Sequence, residues 1–450
     1  MKIPIAPPNP TGLLAKLHSN KLSQLIELQE ATTSGRYLHW DELRHRQPPE
    51  GFSLEEWWLS IWLARAPLLK PLPLLDRQGG TFKFAVPEAV QIHLHHIHRD
   101  AAGQIQAPAS APIHENRERY LLHSLIEEAI TSSQLEGAST TRRVAEAMLL
   151  EGRRPKDRSE AMIFNNYAAM EHIRSLRDQA ITPERILELH RMLTASTLDD
   201  PAEAGRLRQS DEVKVVDNRT GTVLHAPPHW AELPSRLERL CAFANADEGS
   251  APFVHPVVRA ILLHFMIGYD HPFTDGNGRT ARALFYWAMA RSGYWLMEFL
   301  SISQFLRQAP AQYVTAYLHT ETDGGDTTYF ILHQLGTIRK SIEALYAYLA
   351  RKTSEQKDAQ RLLAGSPALR GRLNHRQITL LTHALHNPGE AYRVSAHQQF
   401  HSVVYQTART DLLELEALGF LDKFKQGQSF VFYAPEDLKE RIERAAKGRE

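Results

Sequence analysis

Residues 271–282 read His-Pro-Phe-Thr-Asp-Gly-Asn-Gly-Arg-Thr-Ala-Arg, a run that joins a proton acceptor, an acid, a glycine-containing loop and two guanidinium groups. The imidazole of His271 titrates near neutral pH, so it can take a proton from an attacking hydroxyl. Gly276, Asn277 and Gly278 let backbone N–H groups come close to a phosphate with little side chain in the way. Arg279 and Arg282 are three residues apart and project from the same side of a helical first turn. Two guanidinium groups beside an amide cradle suit a polyphosphate better than a lone carboxylate. Asp275 would repel such a ligand unless a divalent cation lay between them, and Mg²⁺ is commonly held by one carboxylate plus substrate phosphates. The plainer alternative is a glycine turn with salt-bridged arginines, which explains most isolated Gly-x-Gly runs. Base, acid, cradle and arginines occurring together favour a reaction site.

Two helices must position this run. Pro256 suits the first turn of a helix whose core face includes Val257, Val258, Ile261, Leu262, Phe265 and Met266, and Pro272 prevents its continuation past His271. Helical periodicity resumes from Arg279 to Ser292, so the glycine loop feeds a helix N-terminus, where the helix dipole favours anions. Phe273 is expected to pin the loop into the core. Farther on, Tyr313 and Tyr317 share a helix face; Tyr313 is a candidate to stack on adenine, although aromatic residues at that spacing are usually core.

The surrounding chain reads as mainly α. Apolar residues recur at helical spacing from about 113 to 352, as in Leu121, Leu122, Leu125, Ile126 and Ala129. The exception is Val213, Val215 and Val216, a turn at 217–221, then Thr222, Val223 and Leu224, which reads as a β-hairpin. Residues 1–112 form an expected N-terminal helical subdomain, with Trp57 and Trp58 packing it, and Ala102–Pro112 reads as a linker. Helical periodicity of this unit ends near 352, and a second boundary follows the charged segment Arg351 to Arg370. Residues 370–440 give helix, helix, turn, helix and hairpin, the order of a winged helix-turn-helix.

Composition limits the function classes. The 450 residues carry 52 basic and 52 acidic side chains, so no global field steers the molecule to nucleic acid or an anionic membrane. Cys241 is the single cysteine, which precludes an intramolecular disulfide and fits a reducing compartment. The proline-broken N-terminus has no apolar signal-peptide core, and the most apolar run, Val257 to Ile267, is too short to span a bilayer. A cytoplasmic protein without membrane association is expected. His93, His95, His96 and His98 have no cysteine or spaced carboxylate to complete a ligand set, so no zinc is assigned.

HPFTDGNGRTAR resembles the Fic motif HPFx[DE]GN[GK]RxxR at every specified position. The resemblance covers about residues 113–350 and implies a Fic helical bundle with a β-hairpin flap, Gly205-Arg206-Leu207-Arg208 and Pro227-Pro228 lying at the flap's borders. By that resemblance His271 is the general base, Asp275 the Mg²⁺ ligand, Phe273 the core anchor, and Gly276, Asn277 and Gly278 the phosphate cradle, with Arg279 and Arg282 on the β- and γ-phosphates. Gly278, where the Doc-like branch has Lys, implies AMP transfer rather than phosphate transfer. Ser132 to Gly137 resembles the [ST]xxxE[GN] inhibitory motif, which implies that Glu136 pairs with Arg282 and holds the enzyme nearly off. The hairpin offers backbone groups with which a target segment could pair as an added strand.

The resulting expectation is a nucleotidyltransferase that moves AMP from ATP, with Mg²⁺, onto a Ser, Thr or Tyr hydroxyl of a target protein or of itself. Two alternatives are a nucleotide-sensing DNA-binding regulator and a Fic enzyme that removes AMP. For the winged helix, DNA binding and protein docking, including homodimerisation, both stand. Its third helix begins near Ser402 and presents Tyr405, Gln406, Arg409 and Thr410 early, but Asp411, Glu414 and Glu416 follow and leave a thin basic footprint.

Overall fold

Prolines, glycines and capping side chains set most of the element boundaries in the computed structural model, which describes all residues except 1, 18, 29, 103–116, 218, 248, 365–370, 427–428 and 447–450. Residues 103–112 of the expected linker, the stretch before the second boundary at 365–370, and residues 427–428 of the last turn lie outside the described residues. The chain divides into two units, one of residues 1–105, 127–139 and 156–342, the other of residues 106–126, 140–155 and 343–450.

In the first unit, α1 (Pro10–Ala15), α2 (Ser19–Glu27), α3 (Trp40–Leu43) and α4 (Leu54–Arg65) open the chain. A reciprocal cap starts α4: the Ser53 hydroxyl accepts from the Glu56 N–H at 3.2 Å, and the Glu56 carboxylate accepts from the Ser53 N–H at 2.7 Å. Trp57 and Trp58 pack with Leu38, Leu43 and Ile61 in a local core. An antiparallel hairpin of β1 (Lys70–Leu75) and β2 (Thr81–Phe84) follows, an element absent from the sequence reading because Pro71 and Pro73 obscure its alternation. Then come α5 (Glu88–Ala101) and α6 (Arg117–Leu135), the latter giving residues 127–135 to this unit.

After α7 (Arg142–Glu151) of the second unit, the bundle continues with α8 (Arg158–Ser175), α9 (Pro183–Thr194), a hairpin of β3 (Val215–Val216) and β4 (Val223–His225), α10 (Leu233–Ala244), α11 (Pro256–Asp270) and α12 (Asn277–Arg291). The central pair is α11 and α12: α10 packs on α11, while α8 and α9 pack on α12. Nearly every side chain of this pair is buried, including Phe265, Phe285 and Trp287. Beyond them lie α13 (Ile302–Gln308), α14 (Pro310–Thr322) and the long α15 (Thr328–Ala364), of which residues 328–342 belong to this unit.

The rest of the second unit consists of α16 (His375–His386), β5 (Ala391–Arg393), α17 (Val394–His401), α18 (Tyr405–Ala417), β6 (Asp422–Gln426), β7 (Ser429–Tyr433) and α19 (Leu438–Ala446). Its three strands pair antiparallel in the order β5-β7-β6 over a core of Leu381, Ala384, Leu412, Leu415, Phe432 and Ile442. The third strand, β5, is too short for its alternation to be read from sequence. Asp411 is buried and holds Arg376 at 2.6 Å, Asn374 at 2.7 Å and His397 at 3.1 Å. It is therefore an internal tie of this unit. The Glu414 carboxylate likewise accepts from Gln377 at 2.6 Å, and Glu416 pairs with Lys423 at 3.0 Å. Among the described residues no helix is long and apolar enough to cross a membrane.

Candidate active site

Helix α11 ends because Pro272 cannot continue it, and His271 adopts a left-handed conformation (φ 45°) at its cap. The carbonyls freed at this end are taken up by side chains and turns. The Gly268 oxygen accepts from His271 Nδ1 at 3.0 Å, and the Tyr269 oxygen accepts from His225 Nε2 at 2.7 Å. Arg208 Nε donates to the His271 oxygen at 3.0 Å, and the Arg208 amide donates to Pro272 at 2.9 Å. Because a carbonyl only accepts, His271 Nδ1 carries the proton and Nε2 is the free basic nitrogen. Burial holds the His271 pKa below the ordinary imidazole value, so the ring is neutral at neutral pH. Gly268 leaves room for Tyr317, since a Cβ there would lie 2.2 Å from the tyrosine oxygen.

Gly276 (φ 80°) caps the N-terminus of α12. A Cβ on Gly276 would meet Thr194 at 2.7 Å, so α9 approaches the loop as closely as glycine allows. Three contacts from α9 and the loop itself fix its shape. His190, fully buried, stacks on Phe273 with ring centroids 3.7 Å apart, accepts from the Gly205 N–H through Nδ1 at 2.9 Å, and donates from Nε2 to the Asp275 carbonyl at 2.9 Å. Burial lowers its pKa to about 4, which keeps Nδ1 an acceptor. Arg279 donates to the Leu193 carbonyl at 2.9 Å. Asn277 turns its amide back onto Phe273, accepting from its N–H at 2.9 Å and donating to its carbonyl at 2.8 Å. Sequence reasoning missed His190, a lone histidine on an amphipathic helix with no local mark of its partners.

Arg282 is buried against the end of α6. Its Nε donates to the Ser132 hydroxyl at 2.8 Å, and one terminal nitrogen donates to the Ser132 carbonyl at 3.0 Å and to Glu136 Oε1 at 2.9 Å. Glu136 stands just past α6, which ends at Leu135; Gly137 follows with φ 96°. A Cβ on Gly278 would lie 2.2 Å from Glu136 Oε1, so the carboxylate occupies the space directly over this glycine. On the same stripe of α6, Glu128 is fully buried and accepts from Ser301 at 2.9 Å, Ser303 Oγ at 2.5 Å and Tyr286 at 3.0 Å. These bonds anchor the helix whose C-terminal end leads into Glu136.

One cavity of about 400 Å³ collects most of these groups. Its lining includes Glu136, His271, Asp275, Gly276, Asn277, Gly278, Arg282 and Tyr313, whereas Arg279 is buried beneath the loop and is not part of the lining. Tyr313 donates or accepts at His264 Nε2 (2.8 Å) and at Tyr317 (3.4 Å), so its ring forms wall while its hydroxyl is tied inward. The hairpin contributes Val215, Leu224 and His225. The Asp275 carboxylate accepts from the Gly276 N–H at 2.5 Å and faces Arg158 at 3.5 Å and Arg279 at 3.7 Å. The arrangement offers a neutral base, the amides of Asn277 and Gly278 at a helix N-terminus, a carboxylate and a guanidinium in a single cleft.

Residues 180–289 match the Fic/DOC family. The chain is 30% identical over 198 residues to "Protein adenylyltransferase Fic" of Drosophila ananassae, covering 44% of this chain and 37% of the relative. It is equally similar, 30% over 198 residues, to the protein of the same name from Drosophila virilis, covering 38% of that relative. The chain thus spans well under half the length of these relatives. A Fic family protein from Desulfovibrio desulfuricans G20 superposes with a TM-score of 0.48 at 18% identity, over 78% of this chain and 96% of that one. The Fic/DOC match at residues 180–289 encompasses α9, the β3–β4 hairpin, α11, the glycine loop and most of α12.

Proposed function

We propose that this protein is an adenylyltransferase that moves AMP from ATP to a hydroxyl of a target protein. The observation that carries the reading is the His271 Nδ1 bond to the Gly268 carbonyl, which leaves Nε2 as a base in a cavity that also holds the glycine loop and Arg282. A Ser, Thr or Tyr oxygen attacks the α-phosphorus as His271 Nε2 takes its proton. The bond from that phosphorus to the bridging oxygen breaks, and pyrophosphate leaves. The amides of Asn277 and Gly278 and the α12 dipole stabilise the phosphate charge. Asp275 fits a Mg²⁺ ligand, being a carboxylate of the cavity wall whose own side chain is 43% exposed; the ion would neutralise phosphate charge there. No group of three or more His, Cys, Asp or Glu ligands exists among the described residues, and magnesium bound through substrate phosphates needs none.

In this reading Glu136 is a brake. An Arg282 guanidinium bonded to Glu136 and Ser132 is unavailable to the γ-phosphate, so ATP binds without its α-phosphate aligned for attack. The β3–β4 hairpin presents the target segment by strand pairing, and residues 370–440 act as a winged helix that docks a partner. Docking is favoured over DNA because Val404, Tyr405, Phe424 and Phe430 are exposed apolar residues on that unit while Lys423 is paired with Glu416. Mass spectrometry of host proteins incubated with the Glu136→Gly variant and ATP tests the activity: AMP phosphodiesters on hydroxyl side chains are expected, and their absence would refute it.

A further inference from the structure

The cavity has two chemically different ends. Gly276 to Gly278, Arg282, Asp275 and Glu136 make the phosphate end, with His271 beside it. The remaining wall is apolar and aromatic: Val215 and Leu224 from the hairpin, and Tyr313, Val314, Tyr317 and Leu318 from α14. Such a slot suits a planar base, which buries its faces against side chains. One carboxylate lies in this part of the lining, that of Glu321, 23% exposed.

Its position is held by a chain of contacts. Glu321 Oε2 lies 2.9 Å from His225 Nδ1, and His225 Nε2 is anchored at 2.7 Å to the Tyr269 carbonyl, two residues before the catalytic base. Oε1 has no hydrogen-bond partner among the described residues and is not a buried orphan, and Glu321 belongs to the cavity lining. An ionised carboxylate only accepts hydrogen bonds. It rewards a donor on the base edge and repels a keto oxygen.

We propose that Glu321 reads the nucleobase, accepting a hydrogen bond from the exocyclic amino group of adenine and disfavouring a keto group at the same position. The inference rests on the nucleotide-binding reading of the cavity and adds a specificity determinant to it. His225 is the positioning residue that fixes which carboxylate oxygen faces the base.

Calorimetric binding of ATP and of inosine triphosphate to the full chain tests this directly, since the two differ at that ring substituent. Wild-type protein is expected to bind ATP more tightly by about tenfold or more, the consequence of leaving a buried acceptor facing a keto oxygen. In Glu321→Leu no acceptor remains at the base edge, so the ratio falls to near one. Equal binding of the two nucleotides by wild type, or an unchanged ratio in a folded Glu321→Leu protein, would overturn the assignment while leaving the nucleotide site intact. If neither nucleotide binds, the adenylyl-transfer reading falls with it.

Discussion

Glu136 and Arg282 meet at 2.9 Å directly over Gly278, joining the end of α6 to the first turns of α12. The guanidinium is 2% exposed and the carboxylate 25%, so the pair is half in and half out of the protein. Replacing Glu136 with Gly removes the competitor for Arg282 without touching the glycine loop. Labelling is expected to rise on the order of tenfold, the change for ~1.4 kcal/mol in the barrier. Arg282→Ala in the same background should abolish the gain, because both changes act on one contact. Unchanged or reduced labelling in Glu136→Gly, measured with the target or as self-modification, would refute the brake.

His271→Ala is expected to lower the transfer rate by about 10²–10⁴-fold, the usual contribution of a positioned base, with the melting temperature nearly unchanged. The rate should also depend on pH in one direction. Burial holds the His271 pKa below 6.5, and only the neutral ring is a base, so activity is level at neutral pH and declines as pH falls through that lowered value. A rate that rises on acidification would contradict this role.

The glycine loop and its two flanking helices are legible in sequence because they are contiguous: Pro256, Pro272 and the glycines punctuate a single run of residues. What holds that run is not. His190 reaches the Asp275 carbonyl across 85 residues, and Arg208 spans 63 to the His271 carbonyl. A backbone carbonyl leaves no residue type in the sequence to mark it as a partner. Arg279 illustrates the converse, since spacing puts it beside Arg282 but packing turns it under the loop to Leu193. The β1–β2 hairpin and β5 escape sequence reading because prolines or shortness erase their period of two.

His190→Phe keeps an aromatic ring against Phe273 but removes the acceptor for Gly205 and the donor to Asp275. Each buried group so orphaned costs about 1–3 kcal/mol. A lower melting temperature and weaker ATP binding are expected together, since the loop that cradles phosphate loses its tie. Loss of stability with unaltered ATP affinity would show that His190 supports the core alone.

Five histidines of the first unit, the buried His39, His190 and His264 and the half-buried His255 and His333, have pKa values pushed down by desolvation, to about 3 for His39 and about 4 for His190, His255 and His333. The unfolded chain therefore takes up protons first as pH drops. Their contribution to stability is complete above about pH 6.5 and is lost progressively as pH falls from there toward 4. Urea melts across this window should report a falling unfolding free energy. A flat profile would show that these rings protonate without cost in the folded state.

The central claim is transfer of AMP, and the position of an isotope tests it most directly. Glu136→Gly protein incubated with Mg²⁺ and ATP labelled at the α-phosphate should acquire covalent label on itself or its target. The same reaction with label at the γ-phosphate should leave protein unlabelled, and His271→Ala should abolish the α-label. Protein labelled from the γ-position, or by neither nucleotide, would contradict the account.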